Sequence, residues 1–129
     1  MAVLSHGVDL VEVERIERML QAHGDRFINR VFTEGEQAYA ESGPGLRAER
    51  YAARFACKEA VFKVLGTGWG QGVSWSDVDV VRAPGGQPHI QVSGVASERA
   101  QTMGVQSWFV SITHTGGQAM ASVIATDEA

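Results

Sequence analysis

Residues 54 to 68 read RFACKEAVFKVLGTG. From Arg54 to Leu65 the stretch is built of helix-compatible residues without an internal Gly or Pro, and Gly66 supplies a stop. It therefore closes a helix that begins near Leu46. At about 100° per residue, Ala52, Phe55, Ala56, Glu59, Phe62 and Lys63 share one broad face. Glu59 thus sits among small and apolar side chains. A carboxylate withdrawn from water is strongly disfavoured unless a cation or a metal stands beside it, or it takes up a proton. Lys63, one turn on, offers a routine i,i+4 pairing worth about 0.3 to 0.5 kcal/mol. A metal is the other solution, and the helix by itself leaves both open.

Upstream, residues 6 to 13 (HGVDLVEV) have the composition and length of a strand. Alternation sends Val8 and Leu10 to one face and Asp9, Val11 and Val13 to the other, so Asp9 interrupts an apolar row. From Val13 the period becomes helical, with Ile16, Met19 and Leu20 in register. Thr33 and Glu36 have the spacing of a capping box and predict a short helix. Residues 41 to 45 (ESGPG) form a loop. Downstream of the glycine-rich residues 66 to 72, the segments 76 to 83 and 87 to 93 predict a hairpin about Pro84 to Gly86. A helix over 95 to 103 ends at Gly104, and 105 to 115 with 118 to 125 make a second hairpin. Strands grouped in hairpins predict the α+β class, an antiparallel sheet with packed helices.

A chain of 129 residues fits one domain, 1–129, that buries its own core. The net charge of −4 argues against a nucleic-acid binder, and no apolar run reaches the roughly 20 residues of a bilayer span. The N-terminus lacks a basic region followed by a hydrophobic segment, so the expected location is cytoplasmic. The single cysteine, Cys57, excludes an internal disulfide and a thiolate metal cluster.

Asp9 and Glu59 together offer two hard oxygen ligands. That is too few for a calcium cage but suits Mg²⁺, which completes its shell with waters and substrate phosphates. Taken singly, each has a plainer reading, a strand-edge aspartate and a surface ion pair. Lysines beside such a site would neutralise charge that develops during phosphoryl transfer. The glycines at 66 to 72 follow a helix rather than precede one, so they are neither a Walker loop nor a dinucleotide fingerprint. They are a flexible crossover or a bare backbone against which an extended ligand lies. His114, at a strand end, is either solvated or a donor to phosphate.

These segments resemble the holo-acyl-carrier-protein synthases, small phosphopantetheinyl transferases. The resemblance rests on GVDLVEVERI at 7 to 16, FTEGE at 32 to 36, the opening stretch at 54 to 68, DVDV at 77 to 80, GQPHI at 86 to 90 and SITHT at 111 to 115. It implies transfer of the 4′-phosphopantetheine arm of coenzyme A to a serine of apo acyl carrier protein, with Mg²⁺ as cofactor, in fatty acid biosynthesis. Asp9 and Glu59 would hold Mg²⁺, and Glu59 and Lys63 would serve catalysis. Arg54, Lys58, Lys63, Gly66, Thr67, Gly68 and His114 would contact the coenzyme. Arg15, with Arg18 and Arg26, would dock the acidic carrier. The resemblance also implies a homotrimer with sites between subunits. Arg47, Arg50 and Arg54 are candidates for the adenosine 3′-phosphate. Cys57, beside Lys58, is expected to be a packing residue rather than a nucleophile. Two other readings stand beside this one: a noncatalytic module that binds coenzyme A or the carrier, and another Mg²⁺-dependent phosphotransfer enzyme.

Overall fold

The computed structural model of the chain describes residues 1–67 and 71–129; Gly68, expected at the coenzyme, lies outside them. The order is β1 (Val3–Glu12), α1 (Val13–His23), α2 (Asp25–Val31), α3 (Glu34–Glu41), α4 (Arg47–Leu65), a 3₁₀ turn (Trp75–Asp77), β2 (Val78–Arg82), β3 (Pro88–Val92), α5 (Gly94–Met103), β4 (Ser107–Thr115) and β5 (Gln118–Thr126). This is the α+β arrangement the hairpins predict. The capping box forms as read, with Thr33 and Glu36 exchanging side-chain and backbone bonds. Two details differ from the sequence reading. The helix read from Val13 ends at His23, and a further helix the sequence reading did not give, α2, follows Gly24, whose φ 50° and ψ −125° only glycine reaches cheaply. The strands also form two sheets, β1-β5-β4 and β2-β3, both antiparallel. With β1 and β4 bonded to its two edges, β5 has no edge free for the first hairpin.

The long helix α4 lies across the inner face of β1 and β5. Its buried row includes Ala52, Ala56 and Ala60, and it faces Ala119, Ala121, Val123 and Ala125 of β5, all at 0 % exposure. Small residues on both surfaces let backbone approach backbone. The limit is reached at Gly7, where an added methyl group would overlap the carbonyl oxygen of Ala60.

Beneath this layer sits a charged pair. Lys58 is 0 % exposed; its ammonium donates to Trp75 O at 3.0 Å and to Val78 O, and lies 2.9 Å from Glu36 Oε1. Glu36 in turn accepts from Thr33 N at 2.8 Å and Val80 N at 2.7 Å, while Thr33 Oγ1 donates to Asp79 Oδ1 at 2.7 Å. All three ammonium donors have acceptors, and α3, α4, the 3₁₀ turn and β2 converge on one ion pair. Burial alone presses the Lys58 ammonium towards neutrality, and Glu36 opposes it. Lys58 is therefore a structural pin, which corrects its expected place at the coenzyme. Lys58→Met should strand a buried carboxylate and cost about 3–5 kcal/mol, with Tm falling on the order of 10 °C. Differential scanning calorimetry checks this; an unchanged Tm with lost coenzyme affinity would return Lys58 to the ligand.

Candidate active site

The close contact at Gly7 places Asp9, two residues further along β1, on the same face and against the next turn of α4. There Lys63 Nζ donates to Asp9 Oδ1 at 3.2 Å and to Val8 O at 2.8 Å. Lys63 is therefore bonded to β1, and no bond to Glu59 accompanies these two. Asp9 is largely covered, with its side chain 15 % exposed, whereas Lys63 is 53 % exposed. Burial, and then the neighbouring Asp9 carboxylate, push Glu59 above the ordinary carboxylate range, against the pull of Lys63 and Arg15. Two carboxylates, of which Asp9 raises the cost of ionising Glu59, with one lysine beside them, form a donor set that fits a hard divalent cation.

A second cluster is built on Tyr39. The guanidinium groups of Arg50, Arg54 and Arg82 lie 4.2, 4.2 and 4.4 Å from its ring centroid. With Pro88 and His114 they line an open cleft of about 290 Å³. Arg54 is 6 % exposed, and its Nε has no partner among the described residues. Burial lowers its pKa from the usual value. Three cations around one ring repel each other, and their common complement is an anion. Arg47 does not join them: it bonds Glu41 at 2.6 Å and lies over Tyr51. His114 Nδ1 stands 3.9 Å from Glu49 Oε2 at the same cleft.

The two clusters stand on opposite sides of α4. Arg50 precedes Glu59 by nine residues, a rotation of about 180°, and Arg54 by five, about 140°. One chain thus brings Asp9, Glu59 and Lys63 together and holds Arg54 and His114 away from them.

A family model, that of the 4′-phosphopantetheinyl transferase superfamily, matches residues 5–123. The chain belongs to this superfamily. It is similar to the holo-(acyl-carrier-protein) synthase of Solibacter usitatus, 48 % identical over 122 residues that span 95 % of this chain and 97 % of that one. Among solved structures it resembles a holo-(acyl-carrier-protein) synthase from Bacillus anthracis in complex with CoA (3′,5′-ADP). That likeness is 35 % identical, covers 95 % of this chain and 96 % of that one, and has a TM-score of 0.77. The Neisseria meningitidis holo-(acyl-carrier-protein) synthase is 26 % identical, covers 97 % and 99 %, and has a TM-score of 0.87.

Three cationic residues of the transferase were expected at a carrier surface. Arg15 lies over the Phe55 ring at 5.5 Å, on the Glu59 side of α4. Arg18 pairs with Glu14 at 3.2 Å, an exposed i,i+4 bridge. Arg26 lines a groove with Met19, His23, Phe27 and Arg30. Sequence reasoning missed Tyr39 and Arg82. A signal for Arg82 existed, since it has the parity of the buried Val78 and Val80 and ends an inward row with a cation. Gly66 ends α4 in the left-handed region at φ 71°, and the adjoining Thr67 is buried.

Cys57 is fully buried, and burial pushes its thiol up to about 12 despite Arg54 and Lys58 nearby. A thiol so protected is a packing residue. It should resist iodoacetamide at about pH 8 in the native transferase and react once guanidinium unfolds the chain. Mass spectrometry reads the difference, and rapid native alkylation would restore the nucleophile reading.

Proposed function

We propose that this chain is a cytoplasmic, single-domain, Mg²⁺-dependent holo-acyl-carrier-protein synthase that uses coenzyme A. The reading rests on one observation above all: β1 is pressed against α4 so that Asp9, Glu59 and Lys63 meet. The serine oxygen of the apo carrier attacks the phosphorus nearer the pantetheine. The bond to the bridging oxygen breaks, the arm is transferred, and adenosine 3′,5′-bisphosphate leaves. Asp9 and Glu59 would hold Mg²⁺, which when bound neutralises the pyrophosphate. Lys63 leaves Asp9 for the phosphates and stabilises the departing oxygen. Glu59 would accept the serine proton, a reading its half-buried carboxylate with a raised pKa supports. Arg50, Arg54 and Arg82 take the 3′-phosphate, with the purine against the Tyr39 and Pro88 side of the cleft and His114 at the nucleotide phosphates.

No helix among the described residues is long and apolar enough to cross a membrane. The partner is an acidic carrier, met by Arg15, Arg26 and Arg30 around the apolar Met19 and Phe27, with Arg18 at the margin. The separation of the two clusters supports a homotrimer in which the metal side of one copy faces the arginine side of the next. The outer face of β1-β5-β4 also supports it, exposing Val8 at 40 %, Leu10 at 57 %, Met120 at 39 % and Phe109 at 53 %.

Incubation with coenzyme A, Mg²⁺ and apo carrier should raise carrier mass by about 340 Da in a metal-assisted transfer. Asp9→Ala and Glu59→Ala should each abolish that gain while leaving the fold intact. Coenzyme binding without any mass gain, across several carriers, would establish a noncatalytic module instead. If sites lie between copies, mixing and reannealing Asp9→Ala with Arg54→Ala, each inactive alone, should restore about a quarter of wild-type activity. Recovery no greater than the sum of the separate variants would place the whole site within one chain.

A further inference from the structure

A buried arginine usually owes its orientation to an acceptor, and two of the arginines at the Tyr39 cleft have none. Among the described residues Arg54 and Arg82 form neither an ion pair nor a side-chain hydrogen bond. Glu49, the carboxylate that lines the cleft, stands 3.9 Å from His114 instead. Arg50 differs, since its Nη1 donates to Tyr39 O at 2.8 Å and to Ser42 Oγ at 3.1 Å. What Arg54 and Arg82 share is the ring of Tyr39, at 4.2 and 4.4 Å from its centroid. A planar guanidinium packs well on an aromatic ring, whose electron-rich face attracts it.

The surroundings are shaped for this cluster. A Cβ at Gly86 would stand 3.2 Å from Arg82 Nη2, and one at Gly43 would overlap the Arg50 guanidinium, 2.6 Å from its Cζ. Tyr39 itself lies one turn after Glu36 on α3, and the ion pair of Glu36 with Lys58 fixes that helix against α4. The charges nevertheless oppose one another. Burial first, and Arg82 as a smaller cause, disfavour the charged form of Arg54. Empty, such a cluster is destabilising, and the ligand that relieves it best neutralises several cations at once. A phosphate monoester does so with a charge of about −1.5 to −2 and three acceptor oxygens, whereas a diester carries a single charge.

We propose that Tyr39 is a positioning residue for a phosphate monoester: its ring holds Arg54 and Arg82 convergent, beside the separately anchored Arg50, before the ligand arrives. Under the coenzyme reading given above, on which this rests, that group is the 3′-phosphate. Cations arranged in advance lose less conformational freedom on binding, so the ring contributes affinity without touching the phosphate.

The test compares coenzyme A with dephospho-coenzyme A, which lacks only the 3′-phosphate, by isothermal titration calorimetry with Mg²⁺ present, and records Tm for every variant. Tyr39→Leu and Tyr39→Gln each remove the ring from a partly buried position, and either one suffices. Both should bind coenzyme A about tenfold more weakly than wild type and dephospho-coenzyme A within about twofold of it. Tyr39→Phe, which keeps a ring, should keep the wild-type preference. Arg54→Ala should lose the preference too, and Tyr39→Leu/Arg54→Ala should lose less than the sum of the two, because both changes act on one guanidinium. A wild-type preference in the variants without the ring, beside a lost one in Arg54→Ala, would overturn the role of Tyr39 and leave the cleft at the phosphate. Equal weakening of both ligands would assign the ring to the fold or to the purine, and would overturn it as well. A wild-type preference in Arg54→Ala would take the cleft out of the coenzyme site, and the proposal with it.

Discussion

The distance between β1 and α4 is the constraint from which the site follows. Gly7 allows the strand to run against the carbonyl of Ala60, with no room for a Cβ. Two residues along, the same closeness brings a strand carboxylate to a helix carboxylate and a helix lysine. Two like charges do not come together of their own accord. They are carried there by the apolar packing of α4 on β1 and β5, with Val11, Ile16, Val61 and Val123 in the surrounding core. Hydrophobic burial of this kind, at about 25 cal/mol per Å², can carry a local electrostatic cost if the unfavourable pair is small and central.

Helix α4 distributes its polar residues by rotation alone. Cys57, Lys58 and Glu59 are consecutive, and at about 100° each they face three directions. The thiol enters the core, the ammonium enters a buried pair with Glu36, and the carboxylate emerges half-buried beside Asp9. The Lys58 and Glu36 pair fixes the rotation of the helix against β2 and the 3₁₀ turn. A slip of one residue would disconnect three hydrogen bonds and turn Glu59 away from β1. Buried ion pairs are often poor stabilisers compared with apolar substitutes, so specificity of register is the better account of this one.

Much of this was legible in the chain. The capping box at Thr33 and Glu36, the glycine stop at Gly66, both hairpins and the inward Asp9 depend on local rules that operate within a few residues. Helix α2 was not, because seven residues span only about two turns, too few for a periodic pattern to stand out. Lys58 was misread for a related reason. A lysine next to Glu59 has the same local signature whether it faces a phosphate or a carboxylate, and its acceptors, Glu36, Trp75 and Val78, come from distant parts of the chain. Tyr39 and Arg82 are also joined to Arg50 and Arg54 only by tertiary folding. The side of α4 on which each group stands follows from simple rotation, but it gains meaning only when β1 and β2 are known to lie on different flanks.

The alternation of β1 has one more consequence. Its odd positions, Gly7, Asp9 and Val11, face the helix, and its even positions, Val8 and Leu10, form an apolar outer surface. In the proposed function, catalytic geometry and contacts between copies would thus share the two sides of a ribbon one residue thick. Neither can drift alone, because a shift in the strand that improves one surface moves the other by the same amount. If the proposed assembly and metal site hold, such a chain would tie activity to assembly, and an isolated copy with a relaxed β1 would lose both together.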